Sequence, residues 1–272
     1  MTASMPARRS VIPVRSRSGI TLGLAAVASI LAFAWPLFIS SDSSLAQTDV
    51  APLLFALVLP LVGAVVIGEI AGGGLDAKTV AMLGVLSALG AALRPLGAGA
   101  GGVELVFFMI VLGGRAFGPG FGFVLGSTTL VVSAFITGGV GPWLPYQMLA
   151  ASWVGMGAGL LPALGGRKEL ALLAAYGALS SLVFGLLMNL SFWPFTLGPG
   201  TSLSFVPGAP VTDNLGRFLG FSLATSLGWD LGRAVTTAGM IALVGGVVLR
   251  SVRRVGGRAG FEADVTFADR AA

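Results

Sequence analysis

Seven side chains combine chemistry with positions at the ends of, or within, long apolar runs: Arg94, Glu104, Trp143, Tyr146, Gln147, Asn189 and Asp230. A guanidinium and two carboxylates supply charge, two amides both donate and accept hydrogen bonds, and two amphipathic rings supply stacking faces. Lipid offers no water to satisfy such groups, so polar side chains in membrane segments mark a functional site or an internal pairing. The chemistry they suit is the holding of a small molecule. Catalysis has little to stand on, since the chain contains no Cys and no His. Thiolate nucleophiles, the usual zinc ligands and the side chain that titrates near neutral pH are therefore all missing. The sequence has no Ser/His/Asp triad. GGRK at 165–168 lacks the spacing and the hydroxyl of a nucleotide-binding phosphate loop.

Each candidate also has a plainer reading. Arg94 and Glu104 flank LGAGAGG and can form an interfacial ion pair, with Glu104 favouring a helix N-terminus. Trp143 and Tyr146, in GGVGPWLPYQM (138–148), are the residue types that anchor helices at a membrane interface. Gln147 tips that stretch toward a site, because an amide in lipid requires a partner, and Trp153 lies too deep for an anchor. Asn189, Ser191 and Trp193 close a later helix. Asp230 and Arg233 lie one turn apart and are expected to pair within one helix, with a ligand-facing role as the alternative.

Composition dictates what must position these groups. Of 272 residues, 55% are hydrophobic and 10% charged, and mean hydropathy is +0.94; a soluble domain carries about 25% charged residues. The expected fold is an all-α integral membrane protein. A span needs roughly 20 apolar residues, and eight candidates occur, over 19–40, 50–71, 78–95, 103–117, 119–138, 144–164, 169–192 and 218–250. The fourth is short and needs shielding; the last is long, with Gly228 and Gly232 as potential bends.

Basic residues orient the spans. With the N-terminus inside, Arg8, Arg9, Arg15, Arg17, Lys78, Arg115, Arg167, Lys168, Arg250, Arg253, Arg254 and Arg258 collect on the cytoplasmic side, leaving Arg94 and Arg217 outside. Both termini are expected in the cytoplasm of a multi-pass protein of a prokaryotic cell membrane. The net charge of +5 thus reflects topology and not a nucleic-acid surface. Gly19 to Ile39 is longer than the roughly 7–15-residue apolar core of a signal peptide, so the first helix is expected to be retained despite a small-x-small site at Ser44–Ala46. AGGGLDAK reads as a linker. The expected organisation is a basic tail (1–18), a transmembrane hairpin (19–71), a six-helix core (72–250) and a cytoplasmic tail (251–272). The outer loop 193–217, read from the Pro/Gly-rich FWPFTLGPGTSLSFVPGAPVTDN (192–214), is expected to be a long cover without secondary structure.

Small residues recur four apart at Ala77/Ala81, Ala88/Ala92, Gly122/Gly126, Gly155/Gly159 and Gly228/Gly232. Such pairs let helices approach closely in lipid. They serve internal packing or dock another membrane subunit, and Ala77/Ala81 is the best docking candidate. Taken together, the opening helix with Ala77/Ala81, the outer loop Leu96–Gly102, GGRAFGPGFGFVLG (113–126) and GGVGPWLPYQM make residues 72–250 resemble the substrate-binding (S) component of energy-coupling factor transporters. That resemblance implies a six-helix bundle binding a vitamin at the outer face beneath the first core loop. It also implies a transmembrane coupling subunit meeting the Ala77/Ala81 face, and two cytoplasmic ATPases that hydrolyse ATP on its behalf. The chain itself would be non-catalytic, with no cofactor. The G-P-W turn is most similar to cobalamin-type members, and the N-terminal hairpin departs from the minimal form. A stand-alone secondary carrier and a non-transporting scaffold remain the alternatives; the first would require an internal repeat, which the sequence does not display.

Overall fold

The computed structural model describes residues 18–43, 77–97, 101–198 and 200–258, with positions 60, 64, 67 and 68. The span expected over 50–71 therefore lies largely outside the described residues, as do both tails beyond 18 and 258. All regular structure among the described residues is helical: α1 (Ser18–Ala34), α2 (Ala77–Leu93), α3 (Val106–Phe117), α4 (Pro119–Thr137), α5 (Leu144–Leu160), α6 (Gly166–Thr196), α7 (Val211–Thr225) and α8 (Leu227–Arg258). Four stretches are long and apolar enough to cross a membrane: Ala77–Gly97, Pro119–Thr137, Gly166–Thr196 and Leu227–Val255. The molecule is a membrane-embedded helical protein.

Local chemistry sets the helix boundaries. Pro95 opens a short 3-10 turn after α2. Gly118, at φ +97°, reverses the chain between α3 and α4, and Pro119 then takes the first helical position, where its missing N–H costs nothing. Gly138 ends α4 in the left-handed conformation.

The core is built around α3. Eleven of its twelve residues are buried, as expected for a helix that is apolar on every side. At about 18 Å it is too short to span a bilayer alone; α2, α4, α5, α6 and α8 pack against it. Glycines set the tightest crossings. A Cβ at Gly114 or Gly122 would strike the backbone of Gly155, and one at Gly126 would strike that of Ala151. The pairs Gly122/Gly126 and Gly155/Gly159 therefore serve internal packing between α3, α4 and α5. Ala77, Ala81, Ala88 and Ala92 are exposed along α2.

Two expectations need correction. The apolar run 218–250 is not one helix: it is interrupted at Ser226, where φ is −122°. Gly228 and Gly232 lie within α8 and do not mark the break. The Thr225 hydroxyl donates to the Phe221 carbonyl at 2.8 Å and the Ser226 hydroxyl donates to Asn189 Oδ1 at 3.0 Å, the side-chain competition by which Ser and Thr disturb helices. The loop after α6 is also shorter and more ordered than its sequence suggests. α6 continues through Pro194 to Thr196 and α7 begins at Val211. Between them Trp193 donates its indole N–H to Leu203 O at 2.8 Å, and the Asn214 amide holds both backbone groups of Val206 at 3.2 and 2.8 Å. Trp193, Phe218 and Phe221 form a satellite core beneath this segment.

α1 belongs to the same packed body. Ala32 and Phe33 join the main hydrophobic cluster, and Trp153 donates to Ser29 at 3.2 Å.

Candidate functional site

Charged groups gather at the two ends of the bundle. At the end where α2 finishes and α3 begins, the Arg94–Glu104 ion pair, one of the two readings of those residues, does not form. Glu104 instead accepts from Arg233 Nε at 3.0 Å. Arg233 Nη1 also donates to Asp230 Oδ1 at 2.8 Å, the one-turn pair expected from sequence, and to Ser181 O at 3.3 Å. The guanidinium lies 5.2 Å from the Phe184 ring centre and 5.8 Å from that of Phe107, within cation–π range. Asp230 and Arg233 are 6% and 8% exposed, and Asp230 packs so closely over Gly185 that a Cβ there would strike its carboxylate. Arg233 is thus a hub joining the lead-in to α3 with α6 and α8, whereas the sequence names only its local partner Asp230.

Arg94 takes a different partner. Its Nη2 donates to Gln147 Oε1 at 3.2 Å, with a long contact from Nη1 to Ser133 at 3.5 Å; it has no salt bridge among the described residues. Gln147 in turn lines a cavity of about 460 Å³ open to this end of the bundle, with Trp143, Asn189, Phe192, Phe221 and Ser226 among its walls. Asn189 bridges two helices there, donating to Ser222 at 3.4 Å while accepting from Ser226 at 3.0 Å. Trp143 is 43% exposed and closes its own turn by donating to Gly139 O at 3.1 Å; it is both a wall of the cavity and a group at the surface.

The structure therefore brings together Trp143, Gln147 and Asn189, with Arg94 directly behind Gln147. Glu104 and Asp230 belong to the Arg233 cluster and do not line the cavity. Tyr146 also lies outside it. Its ring is fully buried between Phe33 and Phe192, each at 5.4 Å edge-on, and its hydroxyl has no hydrogen-bond partner among the described residues. Phe33 of α1 covers Tyr146, so its ring is enclosed within the bundle and not displayed at the surface. The expected outer loop falls partly outside the described residues at 98–100. Its far end is seated on α8, since a Cβ at Gly102 (φ +79°) would strike the Trp229 backbone and one at Gly232 would strike Gly101 O.

The opposite end is differently made. Glu169 accepts from Arg115 Nε at 2.7 Å and from Arg253 through two bonds of 2.7 and 3.1 Å. Arg115 also donates to the carbonyls of Leu161 and Pro162 at 2.7 and 3.1 Å, satisfying groups that the end of α5 leaves open. In the sequence Arg115 and Arg253 carry only a topology signal. Their common distance from an acid buried at the start of α6 has no local signature.

Chemically, the cavity offers neutral donors and acceptors beside aromatic and thioether surface, a lining suited to an uncharged or weakly polar ring system. Fold and cavity define a membrane-embedded helical protein with a ligand-sized opening at the Arg94 end. Beyond that class the chain stands apart: no family model, no curated protein and no solved structure matches it.

Proposed function

We propose that this chain is the substrate-capture subunit of an energy-coupling factor type transporter, taking a vitamin-type micronutrient from outside the cell for ATP-driven uptake by partner subunits. The observation that carries the reading is the 460 Å³ cavity where Trp143, Gln147 and Asn189 meet, a volume within the range of small-molecule sites, about 300–1,000 Å³. In this reading the Arg94 end faces outward, both termini are cytoplasmic, and residues 72–250 form the capture core, with the last of its six expected helices divided into α7 and α8 and the N-terminal hairpin added to it. The chain performs no catalysis itself. The exposed row Ala77, Ala81, Ala88 and Ala92 on α2 is the face for a transmembrane coupling subunit, which passes on the work of two cytoplasmic ATPases. Cobalamin is the first ligand to try, although a corrin ring requires the cavity walls to part.

Purifying the chain alone in detergent and identifying any tightly retained small molecule by mass spectrometry tests the capture role, with cobalamin absorbance read in parallel. A stoichiometric vitamin supports it. An empty protein that also ignores a vitamin panel overturns it, and uptake driven by an ion gradient without partner subunits assigns the chain to the secondary carriers. The double substitution Ala77→Trp with Ala81→Trp is expected to leave ligand binding unchanged and abolish transport in the assembled complex. Undiminished transport moves the docking face elsewhere.

A further inference from the structure

The Arg115 end carries a second concavity, of about 320 Å³, between the start of α6 and the last turns of α8. Its polar rim is Arg167, Arg250 and Arg253, and its floor is Leu170, Gly246 and Leu249. Glu169 is the only acid in its lining, and that carboxylate is already engaged by two guanidinium groups. Arg167 and Arg250 have no ion-pair or hydrogen-bond partner among the described residues, and the buried Nε of Arg253 has none either. Arg250 reaches over the floor, its Nη1 lying 3.6 Å from where a Cβ on Gly246 would stand.

We propose that this groove binds the headgroup of an anionic phospholipid. The surplus of unpaired cations selects a phosphate. The apolar floor, in a chain embedded in a bilayer, selects a phosphate that brings an acyl chain, since basic pockets between membrane helices are suited to such headgroups. Arg167 and Arg250 hold the phosphate, Arg253 shares its charge between Glu169 and the ligand, and Leu170 and Leu249 meet the first methylenes. The proposal rests on membrane embedding and is independent of the transport reading.

The test uses the full-length protein in mixed micelles containing phosphatidylglycerol and phosphatidylcholine, with bound lipid counted by native mass spectrometry. Wild type is expected to retain phosphatidylglycerol selectively, and R167Q/R250Q to retain about 30-fold less, equivalent to about 2 kcal/mol for two cations near an anionic surface. K168Q/R254Q removes the same charge at the same end of the bundle without touching the groove, and is expected to retain the lipid as wild type does. Equal losses in the two double variants assign the effect to diffuse surface charge and overturn the site. Full displacement by millimolar inorganic phosphate makes the occupant a free anion and overturns the lipid assignment. Retention that appears only in E262Q/D264N/D269N shows that the chain's own acidic tail competes for the groove, and it also overturns the proposal.

Discussion

The two ends of this bundle use similar residues for opposite purposes. At the Arg115 end, one carboxylate 4% exposed is bonded to two arginines and ties α3, α6 and α8 together with no slack. At the Arg94 end, charge is sorted into two groups. Glu104, Asp230 and Arg233 close on themselves, whereas Arg94 turns to the neutral amide of Gln147 at the edge of an open cavity. The first arrangement fixes helices. The second leaves one cation and two amides able to exchange partners at little cost. The enclosed partners of Glu169 and of Arg233 tie helices together, whereas the neutral partners of Arg94 adjoin the cavity on which the proposed capture role rests.

The sharpest way to break the contrast is Glu169→Gln. It leaves Arg115 and Arg253 without a counter-charge, and removing one member of a buried ion pair costs about 3–5 kcal/mol. Thermal unfolding in detergent is expected to fall by many degrees while a bound ligand, if retained, stays in place. Unaltered stability would show that the Arg115 end is no tie at all. Glu104→Gln is expected to cost less, about 1–2 kcal/mol by the same measurement, because Asp230 still faces Arg233 and Glu104 is a quarter exposed. A loss equal to that of the Glu169 variant would erase the distinction between the ends. Gln147→Leu is expected to move stability least, within about 1 kcal/mol, while weakening ligand affinity about 10-fold. Equilibrium binding to the co-purified molecule checks it; unchanged affinity removes Gln147 from the site.

Much of the scaffold was readable as sequence because its signals are local. Apolar run lengths located α2 to α6, Pro95 and Gly118–Pro119 marked their breaks, and the one-turn spacing of Asp230 and Arg233 announced their pair. What could not be read depends on distant segments. Glu104 and Arg233 are 129 residues apart, and nothing near either names the other, so the closer Arg94 looked like the natural partner. Tyr146 reads as an interfacial anchor until Phe33 of α1 is laid over it. The interruption at Ser226 sits inside an unbroken apolar run and depends on Asn189 from another helix. Of the candidate site, the aromatic and amide character of 143–147 was legible, but the division between cavity wall and ion cluster required the fold.

The short α3 has a consequence for how the protein is made. Twelve residues are too few to span a bilayer alone, and the charges beside and within them, Glu104 and Arg115, meet Arg233 and Glu169 only when α8 and α6 have been synthesised. The centre of the molecule is thus finished last. A nascent chain stopped before α8 presents Glu104 unpaired and one flank of α3 uncovered.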